Sequence, residues 1–549
     1  MNSGGFKYLI SLSFLLLVFV YFYVAFNAIL INDDYMAIYT SWLLSIGRVP
    51  EIDFNIDSYT LLFEWMQLPF LFFFNKFEIV YFFRTVFIAI TGLVSWQVYN
   101  LLRLFFSKRV SLVTILLWLS TSAMVVRGLD IRPDLVILSL WLQILIVLYL
   151  RTYSHTRKML YVGVLLCLAM LFKFKAIVIC TVIGFYMIVH LISMRSISSL
   201  VRGIFSGLLG VVVCISLFVF TTGTHSLELF YQTTRDLMLY SAQSSSGNSL
   251  LKYKVLSRYL VQDFIYWGLA FIGGALGVLQ WKKFNSNQKQ CALALVFLAI
   301  LSVIANPHYH AYNLITLYPL VALLVGFAVK YSTEIPNFWT KSRIYLCILF
   351  IAMMAFRSIR YATEFNNDHQ VALHNFIDKQ VSKDQAVFAF EGIGLFRPST
   401  FNWRTSGIKV DRYHSGEYNV WSQILYVKPV LVIESYRIPD WLIEKDRHLL
   451  KQNYVTIAPS VLALGWETES KVDRAILRSG WYTVSSDGVN SCSIDGVATA
   501  DEAKIWLNQG RHVLESSHSV CTLRWYFSPE DIDMLKASNL TSKPYLYVP

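Results

Sequence analysis

Apolar residues recur through the first 360 positions in runs at about 8–31, 78–102, 110–127, 134–150, 159–172, 176–194, 203–222, 259–281, 290–305, 311–329 and 343–357. Most are apolar on every side, as a helix in lipid must be. Lys7 precedes the first run, which is too long for a cleavable signal core and has no small-residue cleavage site after it. It is therefore expected to stay as an anchor. The pattern changes after residue 360. Charge rises, and the β-prone runs Ala386–Phe390, Val430–Ile433 and Tyr454–Ile457 alternate with helix-like stretches such as Asp440–Asn453. The chain reads as a polytopic α-helical membrane protein of about 11 transmembrane helices. Residues 1–360 form the core with an outer loop at 32–77, and residues 361–549 form a C-terminal soluble α/β domain.

Composition agrees: 56% of the 549 residues are hydrophobic and 15% are charged. A soluble globular domain carries about 25% charge, so that class is excluded, as are a disordered chain and a disulfide scaffold. The net charge of +12 suggests nucleic acid until its placement is considered. Residues 1–360 hold 28 basic and 13 acidic side chains, and the last 189 residues hold 19 and 22. The basic residues gather in five short loops: Arg103/Lys108/Arg109, Arg151/Arg157/Lys158, Arg195/Arg202, Lys282/Lys283/Lys289 and Lys330/Lys341/Arg343. Cationic loops resist translocation, so these are read as cytoplasmic, with no nucleic-acid partner. The N-terminus is then cytoplasmic, the acid-bearing loops lie outside, and an odd number of spans leaves residues 361–549 extracytoplasmic. Cysteines 167, 180, 214, 291 and 347 fall in apolar runs as packing residues. Cys492 and Cys521 lie in the soluble part, where an oxidising compartment permits one disulfide.

Candidate chemistry collects in the outer segments. Asp33 and Asp34 directly follow the first span and open a segment with apolar residues at Ile38, Trp42, Leu43 and Ile46, a helix expected to lie in the interface. Two acids at a helix start are also ordinary capping residues. The turn Arg127-Gly128-Leu129-Asp130-Ile131-Arg132-Pro133-Asp134 puts carboxylates and guanidiniums at the same depth, which suits an anionic ligand and a general base; a structural Arg132–Asp134 pair is the plainer reading. Lys173 and Lys175 end the fifth span, either snorkelling or meeting a phosphate. His308 and His310 form a His-x-His, a weak metal signal that leaves a divalent cation open and no cofactor assigned. No Walker loop, dinucleotide fingerprint, Gly-x-Ser-x-Gly elbow or His-Glu-x-x-His motif occurs, and the inner loops are too short for a nucleotide-binding domain.

These residues resemble the integral-membrane C-class (GT-C) glycosyltransferases that use polyprenyl-phosphate sugars, a group including protein O-mannosyltransferases and lipid A aminoarabinose transferases. The matching residues are Asp33-Asp34, then Trp42-Leu43-Leu44, Gly47-Arg48-Val49-Pro50, Asp53-Phe54, Arg132-Pro133-Asp134 and Lys175 beside Lys173. The resemblance implies transfer of a sugar from a polyprenyl-phosphate donor to an acceptor hydroxyl on a glycan, lipid or protein. It further implies an extracytoplasmic reaction, inversion at the anomeric carbon and, by its setting, a bacterial inner or plasma membrane. Asp33 becomes the general base, Asp34 and Asp134 its catalytic companions, and Arg127, Arg132, Lys173, Lys175, His308 and His310 candidate substrate contacts. One departure stands out. Relatives carry His-x-Pro-Pro or Lys-Pro-Pro soon after Asp-Phe, where this chain reads Asn55-Ile56-Asp57-Ser58-Tyr59-Thr60. Two other readings compete: a transporter or flippase for a lipid-linked sugar, and an anchored binding protein acting through residues 361–549.

Overall fold

The computed structural model describes residues 3–56, 61–194, 196–243, 249–304, 311–334, 340–404, 407–435, 437–486, 492–516 and 520–538. They form two compact units, the first comprising Met1–Ala28, Ser58–Phe63 and Tyr81–Thr363, the second Ile29–Asp57, Glu64–Val80 and Glu364–Pro549.

The first unit is helical. Among the described residues eight helices are long and apolar enough to cross a membrane: Lys7–Asn27, Glu78–Leu102, His155–Phe172, Ala176–Ser193, Ile197–Thr222, Phe264–Lys283, Ser286–Ile304 and Leu346–Glu364. Pro133–Tyr149 and Tyr318–Ser332 are shorter apolar helices. Two expected spans are broken, and polar groups explain both. The run at 110–127 ends as a helix at Leu119 and resumes as a π-turn, Ala123–Arg127. Here Ser120 and Thr121 turn their hydroxyls back onto the Leu117 and Trp118 carbonyls, each at 2.8 Å. The run at 259–281 breaks at Asp263, between helices Ser249–Gln262 and Phe264–Gln280. Its carboxylate accepts the Ser122 N–H at 3.0 Å and the Tyr318 hydroxyl at 2.9 Å, so one buried acid pins both irregularities.

Lipid offers no hydrophobic drive between helices, so close approach of small residues does that work. A Cβ built on Gly163 would stand 2.0 Å from the Gly207 carbonyl oxygen on the facing helix, and one on Gly273 would stand 1.8 Å from that of Leu324. Gly163→Ala is expected to lower the thermal midpoint in detergent, with a cost of ~1–3 kcal/mol. An unchanged midpoint would mean that this helix pair parts without penalty.

Among the described residues the second unit carries eleven strands: β1 (Val387–Phe388), β2 (Leu431–Ile433), β3 (Tyr454–Ala458), β4 (Val461–Thr468), β5 (Val472–Ile476), β6 (Gly480–Ser486), β7 (Cys492–Ile494), β8 (Val497–Thr499), β9 (Ala503–Leu507), β10 (Gly510–Ser516) and β11 (Cys521–Trp525). A seven-stranded sheet runs β1-β2-β4-β11-β6-β9 with β3 beside β4, and a four-stranded sheet runs β5-β10-β7-β8. Strands β1 and β2 pair in parallel. Cys492 and Cys521 are bonded, with Cα atoms 5.8 Å apart, tying β7 of one sheet to β11 of the other. Closing a loop of 29 residues restricts the unfolded chain by ~3.5 kcal/mol.

Of the segment after the first span, Ile29–Asp57 and Glu64–Val80 belong to this unit, although a boundary read at residue 360 groups them with the membrane core. Its helix, Asn32–Ser45, is buried on nearly every side, including Tyr35, Ile38, Tyr39, Thr40 and Ser41. A helix so enclosed is not the interfacial amphipath that its apolar spacing suggested. Its polar positions are met by protein: Tyr39 donates to the Arg397 carbonyl at 2.8 Å, and Thr40 accepts from Arg404 at 2.9 Å.

Candidate active site

In the first unit, the chain turns from Arg127 to Asp134. Pro133 opens the next helix, where its missing N–H costs nothing, and the preceding Arg132 is extended (φ −142°, ψ 149°). That backbone brings the Arg132 side chain over the helix start, where its Nε lies 3.1 Å from Asp134 Oδ2. Lys173, at the end of His155–Phe172, places its Nζ 3.7 Å from the same oxygen. On the other side of the turn, Arg127 lies 3.6 Å from Asp130 Oδ2 and donates to the Tyr259 hydroxyl at 3.0 Å. Arg127, Asp130, Arg132 and Asp134 are all buried.

Three cations and two carboxylates thus meet along this turn, the guanidiniums in a setting that weakly screens their positive charge. Charge of that sign and burial suits an anion reaching the ends of two membrane helices. Asp134 is engaged by two cations, which fits a residue that orients them. The backbone of Lys175 lies in the 3₁₀ turn Phe174–Val178; its side chain, and the whole of His308 and His310, fall outside the described residues.

Asp33 and Asp34 belong to the second unit. They occupy the first turn of Asn32–Ser45, where the positive end of the helix dipole favours a carboxylate. Asp34 is fully buried and accepts the Ile31 N–H at 3.3 Å, the capping role open to either acid in the sequence. Asp33, one residue earlier, is only partly buried. Around this helix the Tyr35 ring stacks on His374 at 5.4 Å, and Phe77 stacks on the same imidazole at 4.4 Å. Glu64 lies 3.8 Å from Arg404, both buried. Among the described residues no three His, Cys, Asp or Glu side chains group as metal ligands.

Sequence reading overlooked a second acid. Glu391 is wholly buried in the Glu391-Gly392 turn after β1, bonded to the Ser435 hydroxyl and 3.6 Å from Arg437. Arg437 in turn reaches the Met36 sulfur at 3.6 Å, one helical turn beyond Asp33, and lies over the Trp441 ring at 4.6 Å. Gly392 adopts φ +70°, and a Cβ there would stand 2.7 Å from Tyr39 Cβ, so this turn approaches the helix as only glycine allows. Tyr259, Asp263 and Tyr318 also escaped notice. The available signal was the ionisable Asp263 inside an apolar run.

Burial lifts the Glu391 carboxyl to about 7, against the pull of Arg437 and Ser435. Burial holds the His374 imidazole down to about 3, with Arg397 adding to it, and His369 down to about 4. The signs oppose. Glu391, raised when folded, contributes stability that is complete below about pH 4.5 and lost as pH rises to about 7. The two histidines, lowered when folded, contribute stability that is present above about 6.5 and lost as pH falls. Comparing wild type with Glu391→Gln cancels the histidines. As pH falls from about 7 to 4.5, the difference in unfolding free energy should move toward wild type by on the order of 3 kcal/mol. A difference that ignores pH would show that Glu391 is not protonated in that window.

The whole arrangement has known counterparts. ArnT from Cupriavidus metallidurans in the apo state superposes with a TM-score of 0.55 at 11% identity, covering 82% of this chain and 97% of that one. The same protein bound to undecaprenyl phosphate gives 0.56 at 10% identity, covering 84% and 98%. The chain thus shares its fold with ArnT. Residues 58–221 also match the family described as dolichyl-phosphate-mannose-protein mannosyltransferase, a stretch that includes the Arg127–Asp134 turn and Lys173. No curated protein matches by sequence. The likeness thus lies in the architecture and in that matched stretch.

Proposed function

We propose that this protein transfers a sugar from a polyprenyl-phosphate donor to an acceptor hydroxyl, with Asp33 as the general base. The observation that carries the reading is the buried cluster of Arg132 and Lys173 on Asp134, with Arg127 beside it. The donor is a phosphodiester bearing one negative charge. As the bond from its oxygen to the anomeric carbon breaks, the departing lipid phosphate takes that electron pair and approaches two negative charges. It needs cations more than a proton. The acceptor oxygen forms the new bond to the anomeric carbon from the opposite face, and its proton passes to Asp33. Asp134 holds Arg132 and Lys173 toward the phosphate, and Asp34 holds the start of the helix that carries Asp33.

The similar ArnT structure bound to undecaprenyl phosphate supports a polyprenyl phosphate as the lipid carrier. The donor tail would stay in the bilayer and enter between helices. Cationic inner loops favour a cytoplasmic N-terminus, and with it an extracytoplasmic acceptor and second unit. The membrane would be the bacterial inner or plasma membrane. The test is transfer of label from a panel of polyprenyl-phosphate sugars into cell-envelope fractions by the purified protein in lipid. Label in an envelope acceptor is expected. Folded protein that transfers from no donor, yet carries the unmodified lipid sugar across a vesicle membrane, would make the transporter the better description.

A further inference from the structure

The seven-stranded sheet of the second unit has a face whose chemistry the transfer reaction leaves unused. Alternate residues of a strand share a face, and the register sets Trp481 of β6 directly opposite Trp506 of β9, with Thr483 opposite Lys504. On the other flank Arg524 of β11 pairs with Thr483, and Tyr526 follows, its N–H bonded to the Trp481 carbonyl. Trp481 and Trp506 are 46% and 53% exposed, with ring centroids 5.5 Å apart and planes at 79°. Two large rings held in water at this exposure on a rigid sheet are costly unless something covers them.

Their polar neighbours say what kind of ligand would. Lys504 holds its ammonium 5.0 Å from the Trp481 ring centre and 4.1 Å from that of Tyr526, and among the described residues it makes no ion pair. Arg524 contacts Glu502 through one nitrogen at 3.3 Å, while among the described residues its buried Nη1 has no hydrogen-bond partner. The buried Thr483 hydroxyl between them has none either. Flat aromatic rings suit the apolar C–H face of a pyranose, and the exposed Lys504 ammonium beside them suits an acidic group. The rings are flanked by Thr483, Lys504 and Arg524.

We propose that this face binds an anionic glycan, with Trp481 and Trp506 as the stacking platform and Lys504 as the contact for its acidic groups. It is a binding surface separate from the residues assigned to transfer, and it stands whether or not transfer occurs. Isothermal titration of the full-length protein in detergent with hexa-galacturonate is expected to show saturable binding. Neutral maltohexaose should bind more weakly. Trp481→Ala and Trp506→Ala should each weaken the acidic probe about tenfold with an unchanged thermal midpoint. Lys504→Gln should bring the two probes to similar affinity, which loss of folding would not do. Asp33→Asn should bind as wild type even where transfer is lost, which separates this surface from the proposed reaction. No saturable binding by folded protein, or binding that survives both tryptophan substitutions, would overturn the proposal. So would uptake of the two tryptophans into phosphatidylcholine–phosphatidylglycerol vesicles in preference to the sugar.

Discussion

Asp33→Asn is expected to slow sugar transfer by about 10²–10⁴-fold, the usual worth of a positioned general base, and to leave the thermal midpoint nearly unchanged. The two acids at the start of Asn32–Ser45 have separable tasks. Asp34 is fully buried and its carboxylate accepts the Ile31 N–H, so Asp34→Ala should cost stability on the scale of a lost cap, about 1 kcal/mol. Asp33 keeps partial exposure at the start of the same helix. Asparagine preserves the volume and removes the base. The readout is initial rate at saturating donor, with the donor KM measured alongside: loss of a base lowers kcat, whereas loss of a binding contact raises KM. A folded variant that transfers at the wild-type rate would remove Asp33 from the role and leave Asp34 or Asp134 to be tested next.

Much of the membrane core was legible because lipid imposes one rule, that a spanning helix be apolar around its whole circumference. The rule failed where side chains spend their polarity on distant partners. Nothing near Ser122 in sequence announces that its N–H is taken by Asp263, 141 positions away. Strands β1 to β3 showed as short β-prone runs, but β4, Val461–Thr468, is buried at nearly every position and gives no alternation to read. Strands β5 and β9 alternate with exposed charged residues, Asp473 and Lys504 among them, that mask the pattern in so short a run. The same contrast holds at the site. Arg127, Asp130, Arg132 and Asp134 were found together because one turn carries them, and Lys173 because it ends a span. Glu391 and Arg437 were missed because a lone acid after β1 looks like any solvated loop residue until its burial is known.

Arg404→Met is expected to destabilise the second unit by ~3–5 kcal/mol, the usual cost of stripping one partner from a buried ion pair. For a unit of this size that lowers the midpoint by ~6–20 °C. The arginine is buried 3.8 Å from Glu64, which is buried too, and donates to Thr40 at 2.9 Å. Its own carbonyl accepts from Asn55 at 3.2 Å. One residue of the C-terminal segment thus holds three parts of the first outer loop, and removing it leaves a carboxylate in a place that water cannot reach. The double variant Arg404→Met/Glu64→Leu tests that cause. Replacing both charges with apolar groups of similar size is often neutral, so most of the lost stability should return. Transfer should remain reduced in the double variant, because Thr40 lies on the helix that carries Asp33 and has lost its guanidinium anchor. A single variant as stable as wild type would mean that the pair does not hold the loop. A double variant restored in both stability and rate would show that the pair serves folding alone and leaves the position of Asp33 to its neighbours.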